Sequence, residues 1–210
     1  MKTESLKSTF AKAIAAGIMI GTGGIVYLMA ENKIIGAMLF SFGLFTIIRS
    51  GFALYTGKVG YIPENNPKYI IEVITTLVGN IVGTGLMAGL VLLTRIGGKV
   101  HENAQNAMIA KLGDGMPSRF ILGIFCGMLM YLAVDNARVC REKNSDTSLV
   151  FGTVIPVMIF IISGFNHSVA DCFYFFAAYP DIEGILYILT VALGNAVGGM
   201  LIPLMKKYLF

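Results

Sequence analysis

Between positions 163 and 172 the chain reads Ser163-Gly164-Phe165-Asn166-His167-Ser168-Val169-Ala170-Asp171-Cys172, inside an otherwise apolar segment. An imidazole, an amide, a hydroxyl and a carboxylate are costly in such a place. A charged side chain at the centre of a membrane helix costs roughly 2.5–3.5 kcal/mol, so these groups face a cavity or a partner. Histidine alone has an unperturbed pKa near neutrality and can donate, accept or pass a proton. His167 is therefore either a functional group in a polar path or a structural one bonding backbone freed by a helix break. A second polar stretch, Ser50-Gly51-Phe52-Ala53-Leu54-Tyr55-Thr56-Gly57-Lys58, offers Thr56. Its hydroxyl either reaches His167 or caps a helix end beside Gly57.

Other chemistries find little support. There is no His-Glu-x-x-His run and no serine with a convincing base partner, so neither an enzyme nor a metal or cofactor site is expected. The three cysteines are odd in number, and Cys126 and Cys172 lie in apolar segments, where they read as reduced packing residues. His101, the other histidine, sits beside Glu102 in a polar stretch and reads as a solvated loop residue. The net charge of +4 is not gathered into a basic run with interleaved aromatics, which excludes a nucleic-acid partner.

The elements that must position these groups are membrane spans. Of 210 residues, 56% are hydrophobic and 13% charged, and the mean hydropathy is +0.75. A soluble domain needs a hydrated surface that this composition does not supply. Apolar stretches instead recur at roughly the 20 residues needed to cross a bilayer. Six spans are expected at about 10–30, 34–56, 69–94, 119–138, 149–179 and 184–205. Gly60 to Pro67 and Gly97 to Pro117 read as loops. Lys2 and Lys7 before the first apolar stretch resemble a signal peptide. No cleavage site with a soluble mature domain follows, so a retained first helix is expected. The 25 glycines suit closely packed membrane helices.

An even number of spans puts both termini on one side. That side receives Lys2, Lys7, Lys12, Lys58, Lys68, Arg138, Arg141, Lys143, Lys206 and Lys207, ten cations in all. The other receives five, Lys33, Arg95, Lys99, Lys111 and Arg119, with Arg49 inside a span. The positive-inside rule then expects both termini in the cytoplasm.

The halves echo each other. Gly79-Asn80-Ile81-Val82-Gly83 returns as Gly194-Asn195-Ala196-Val197-Gly198, 115 residues on. Ser50-Gly51-Phe52 returns as Ser163-Gly164-Phe165 at an offset of 113, and Tyr27-Leu28 as Tyr131-Leu132 at 104. A unit of three spans crosses an odd number of times, so its two copies (about 10–94 and 119–205) must run in opposite directions. In such inverted repeats, interrupted helices of the two halves meet near the midplane with N–H ends facing an anionic solute. The Ser-Gly-Phe pair marks either those interruptions, in spans two and five, or mere packing notches.

At these residues the chain resembles the formate/nitrite transporter family of formate, nitrite and hydrosulfide channels. The likeness is carried by Ser163 to Ala170, by Gly194-Asn195-Ala196-Val197-Gly198-Gly199, by Leu54-Tyr55-Thr56-Gly57 and by Leu122-Gly123-Ile124-Phe125-Cys126. It implies one all-α channel domain over 1–210 with an aquaporin-like protomer, broken second and fifth helices, and a homopentamer in the cytoplasmic (inner) membrane. It also implies a small monovalent anion as substrate, crossing as the anion or with a proton at the central His167. Thr56 matches the threonine bonded to that histidine. Leu44 and Phe160 match the cytoplasmic constriction, and Phe40 and Tyr55 the outer one. Lys111 matches an outer-vestibule lysine and Asn195 a pore-facing asparagine. The chain departs from the pattern at Gly127 (usually asparagine), Ala53 (acidic in formate channels), Arg49 (usually apolar) and Asp171 (frequently asparagine). The last two are expected to pair, which would make each tolerable in the membrane. A water- or glycerol-type channel is the alternative, although its paired Asn-Pro-Ala signatures are absent.

Overall fold

The computed structural model describes residues 5–142, 145–178 and 180–209, so Lys2 and Lys143 of the charge count lie outside it. The described residues form helices α1 (Leu6–Met29), α2 (Lys33–Ser50), α3 (Tyr55–Lys58), α4 (Tyr69–Leu92), α5 (Gly97–Leu112), α6 (Met116–Glu142), α7 (Asp146–Ile162), α8 (Ser168–Ala178) and α9 (Ile182–Leu209). A 3-10 turn, Val59–Glu64, continues α3. Polar residues set the short joints. Asn32 accepts from the N–H groups of Ile34 and Ile35, capping α2 at the tight turn after α1.

Helices α1, α2, α4, α6 and α9 are each long and apolar enough to cross a bilayer. The remaining expected span is divided between α7 and α8. The outer surface is apolar: Phe42, Ile74, Leu90, Ile155 and Leu193 are all exposed, the reverse of a water-soluble domain.

The second and fifth spans break where the repeated Ser-Gly-Phe triplets fall. Gly51 and Gly164 take positive φ, 67° and 70°. At each, the phenylalanine after the glycine donates its N–H five residues back, Phe52 to Ile47 (3.0 Å) and Phe165 to Phe160 (2.9 Å). The glycines donate three back, to Ile48 and Ile161. This is the helix-ending Schellman arrangement, which needs a left-handed residue at its corner. A Cβ on either glycine would meet nothing within 4 Å. Gly164→Ala should therefore cost only the backbone term, about 1–2 kcal/mol, read as a lowered thermal midpoint in detergent.

The match between halves extends to individual hydrogen bonds. Asn80 on α4 accepts from Tyr55 N–H (2.8 Å) and donates to the carbonyls of Ala13 and Ala53 (2.8 and 2.9 Å). Asn195 on α9 accepts from Ser168 N–H (2.9 Å) and donates to the carbonyls of Gly123 and Asn166 (2.8 and 2.9 Å). Ala53 N–H reaches Lys12 O as Asn166 N–H reaches Leu122 O, both at 3.3 Å. These pairs fix the equivalences: Ala13 with Gly123, 110 positions apart, and Asn80 with Asn195, 115 apart. The Tyr27–Tyr131 match at 104 is therefore not a structural equivalence.

Glycines let the clamps close. A Cβ on Gly17 would overlap backbone of Asn80 and Gly83, and one on its counterpart Gly127 would overlap backbone of Asn195. Such close backbone approach is what small residues permit between membrane helices. It also explains why Gly127 carries no side-chain amide.

One expected loop is corrected. Residues 97–112 form helix α5, which lies against the protein through Val100, Ala104 and Met108. His101 is not a solvated loop residue: its Nδ1 lies 2.7 Å from Ala177 O, near the end of α8. Asn103 donates to Leu28 O.

Candidate functional site

The two broken helices meet at His167. The imidazole is buried, with Nε2 3.0 Å from Thr56 Oγ1 on α3 and Nδ1 3.1 Å from Ala170 N. A backbone N–H only donates, so Nδ1 must accept. The neutral ring then carries its hydrogen on Nε2 and donates it to the Thr56 hydroxyl oxygen. His167 thereby caps the N-terminal turn of α8, as an Asx or Ser side chain would. A ring protonated on both nitrogens would give up that cap.

The structural reading of His167 thus holds in part. The imidazole serves backbone freed by the break, and the group it serves is an N–H rather than a carbonyl. It also turns its other nitrogen toward Thr56. The Thr56 hydroxyl, having accepted from Nε2–H, retains its own hydrogen for a further acceptor. One hydroxyl donor, backed by the Nε2–H that it accepts from, is thereby held at a buried point.

Apolar groups enclose this pair. Phe160 stacks on the imidazole at a centroid distance of 5.3 Å, and Phe40 meets Phe160 edge to face at 6.2 Å. Leu44, Leu54 and Tyr55 belong to the same packed cluster. Tyr55 Oη donates to Ala192 O (2.9 Å), which fixes that ring against α9. On one side of this cluster lies a cavity of about 460 Å³, lined among others by Leu44, Leu54, Lys58, Tyr61 and Arg138. Around its rim, Lys58 pairs with Glu72, and Arg138 with Asp135 (2.8 Å). Tyr61 Oη, 3.4 Å from Asp135, titrates above the usual phenol range through burial and then the neighbouring Asp135 charge.

Lys111, which is not among the residues lining that cavity, sits in the last turn of α5. Its ammonium donates to Asn166 Oδ1 (2.9 Å) and pairs with Asp171 Oδ1 (3.1 Å). Asp171 Oδ2 accepts from Tyr187 Oη (2.8 Å). The expected Arg49–Asp171 pair is therefore corrected. Arg49 is an exposed residue in the last turn of α2, and Lys111 with Tyr187 satisfies the buried aspartate. Asn195 also differs from its expectation. It is fully buried, and its amide is committed to three backbone groups, so it acts as a clamp rather than a pore-facing group. Tyr187 was not singled out by the sequence reading, which named Asn166 as a costly buried amide and Asn80, the counterpart of Asn195, within the doubled Gly-Asn-x-x-Gly motif.

Fold and site together define a multi-pass helical membrane protein whose two equivalent halves bring broken helices to one buried histidine. The formate/nitrite transporter family model matches residues 1–209, and the chain belongs to that family. Among its relatives is the formate channel FocA of Escherichia coli, 27% identical over an alignment of 191 residues, which covers 81% of this chain and 66% of FocA. The formate channel FocB of the same organism is 22% identical over the same shares, so the chain spans about two thirds of these relatives' length. The transporter YwcJ of Bacillus subtilis is 25% identical, covering 90% of this chain and 83% of its own. In three dimensions the fold is similar to a pentameric formate channel with formate bound (TM-score 0.81, 24% identity, 100% of this chain and 98% of that one). It is also similar to an FNT family ion channel (TM-score 0.83, 22% identity, 97% and 90%).

Proposed function

We propose that the chain is a single channel domain that passes a small monovalent weak-acid anion, such as formate, nitrite or hydrosulfide, through a pore within each protomer. The observation that carries this reading is the His167 Nε2–H directed at Thr56 where the two helix breaks meet. A buried, neutral O–H donor polarised by the N–H behind it suits a solute that arrives without its water shell. His167 acts as a hydrogen-bond donor held in one tautomer by Ala170 N–H. Lys111 marks the outer entrance, and Leu44 with Phe160, and Phe40 with Tyr55, narrow the path on either side of His167. Apolar rings of this kind make large or strongly hydrated solutes lose more water than the donors replace.

The relatives named as formate channels, and the pentameric neighbour, support the substrate class and a homopentamer. The excess of Lys and Arg on the terminal side supports cytoplasmic termini in a bacterial cytoplasmic (inner) membrane. Purified protein in liposomes is expected to conduct at least one of formate, nitrite, hydrosulfide and acetate well above protein-free vesicles, with no glycerol flux. Glycerol or water flux without any anion flux would replace this reading by a neutral-solute channel.

A further inference from the structure

The buried polar cluster around Lys111 contains a charge that an anion pathway would not be expected to carry. Asp171 lies one helical turn beyond His167, its N–H bonded to His167 O at 2.8 Å, and its side chain is 2% exposed. One carboxylate oxygen holds the Lys111 ammonium and the other accepts from Tyr187. Asn166 Oδ1 accepts from the same ammonium, while Asn166 Nδ2 donates to Arg119 O at 3.3 Å. Arg119, the next cation along, is itself held by Glu183 (2.9 Å) and by the carbonyls of Asp114 and Leu112.

Two features favouring an anion are thereby offset by one residue. A negative side chain in the first turn of α8 balances the positive end of that half-helix. The same carboxylate neutralises Lys111. The Lys111 side chain keeps 18% of its surface exposed, so it can be approached from the outside while Asp171 cannot.

We propose that Asp171 is a specificity-determining residue, a built-in competitor that an arriving anion must displace from Lys111. This rests on the channel reading above and adds a substrate preference to it. A carboxylate is a strong, hard acceptor for an ammonium, and exchange for it favours an oxyanion of similar acceptor strength. Formate and nitrite meet that condition, whereas chloride, spherical and a weaker acceptor, does not. Selectivity arises by holding the wrong partner out as well as by attracting the right one. Loose retention at the entrance also suits conduction, since a solute held by an unopposed charge leaves slowly.

The test is formate flux into liposomes as a function of formate concentration, with and without chloride, for wild type, Asp171→Asn, Lys111→Met and the double variant. Asparagine keeps one acceptor oxygen for Lys111, turns its amide N–H toward the Tyr187 hydroxyl oxygen, and carries no charge. Asp171→Asn should lower the half-saturating formate concentration about tenfold, as expected for freeing one partly buried charge, and should make chloride an effective inhibitor. In the Lys111→Met background the same substitution should change neither quantity. Asp171→Ser, which keeps a hydroxyl for Tyr187, carries the same test if the asparagine variant does not assemble. An unchanged half-saturation and chloride response in Asp171→Asn overturns the proposal, as does an equal shift with and without Lys111. A wild type that conducts nitrite or acetate but not formate carries the same test with that anion; absence of flux for formate, nitrite, hydrosulfide and acetate alike sinks the channel reading instead and takes this proposal with it.

Discussion

Asn195→Leu should prevent the protein from assembling into a monodisperse species in mild detergent. Leucine matches asparagine roughly in size but offers no hydrogen bonds. It would leave Ser168 N–H and Asn166 O, on either side of His167 where the fifth-helix break meets α8, without the amide that joins them, and would remove a bond to Gly123 O. All of this lies at a fully buried position, where water cannot substitute. Each backbone group orphaned in the interior costs about 1–3 kcal/mol. The sum over the three groups, about 3–9 kcal/mol, is a large part of a typical domain's stability. Asn80→Leu should do the same to the second-helix break, because Asn80 makes the corresponding three bonds. Thermal unfolding followed by size-exclusion chromatography measures both. A melting temperature within two or three degrees of wild type for either variant would show that the asparagines do not hold the breaks.

That prediction depends on something only half visible in the sequence. The doubled Gly-Asn-x-x-Gly pattern pointed to equivalent places in spans three and six, and the doubled Ser-Gly-Phe to both helix ends. Both signals are local, because glycine at the corner of a helix end and glycine under a crossing helix are dictated by backbone geometry. The link between the two motifs is not local. Nothing in the linear order shows that Asn195 binds the break at Asn166 and Ser168, since that contact exists only after α9 packs against α6 and α8. The same limit produced the Arg49–Asp171 error. Two charges in apolar segments invite pairing on paper, but the nearer partner came from α5, which had been read as loop. Helix α5 is polar along one side, with Lys99, Glu102 and Asn106, and its apolar positions Val100, Ala104 and Met108 repeat every four residues. That periodicity was a legible helix signal, which the reading of 97–117 as a loop did not use. His167 was legible as a polar residue out of place and Thr56 as its partner by resemblance. The tautomer was not, because it follows from Ala170 N–H.

The largest functional effect is expected at His167. Alanine removes both the cap on α8 and the donor facing Thr56. His167→Asn separates the two, since its Oδ1 can still accept from Ala170 N–H as an N-cap asparagine does, while its shorter side chain withdraws the donor from Thr56. The asparagine variant should therefore keep near-wild-type thermal stability and still lose transport. One preorganised donor in a dry site is commonly worth about 10²-fold in rate, and a loss of that order is expected here.

The most direct measurement is formate flux into liposomes holding equal amounts of wild-type, His167→Ala and His167→Asn protein, each checked for an intact oligomer, across a range of pH. The account predicts that flux falls about 100-fold in both variants at every pH where the wild type conducts. Wild-type flux with an unchanged pH dependence in either intact variant would contradict it, and would remove His167 from the path of the anion.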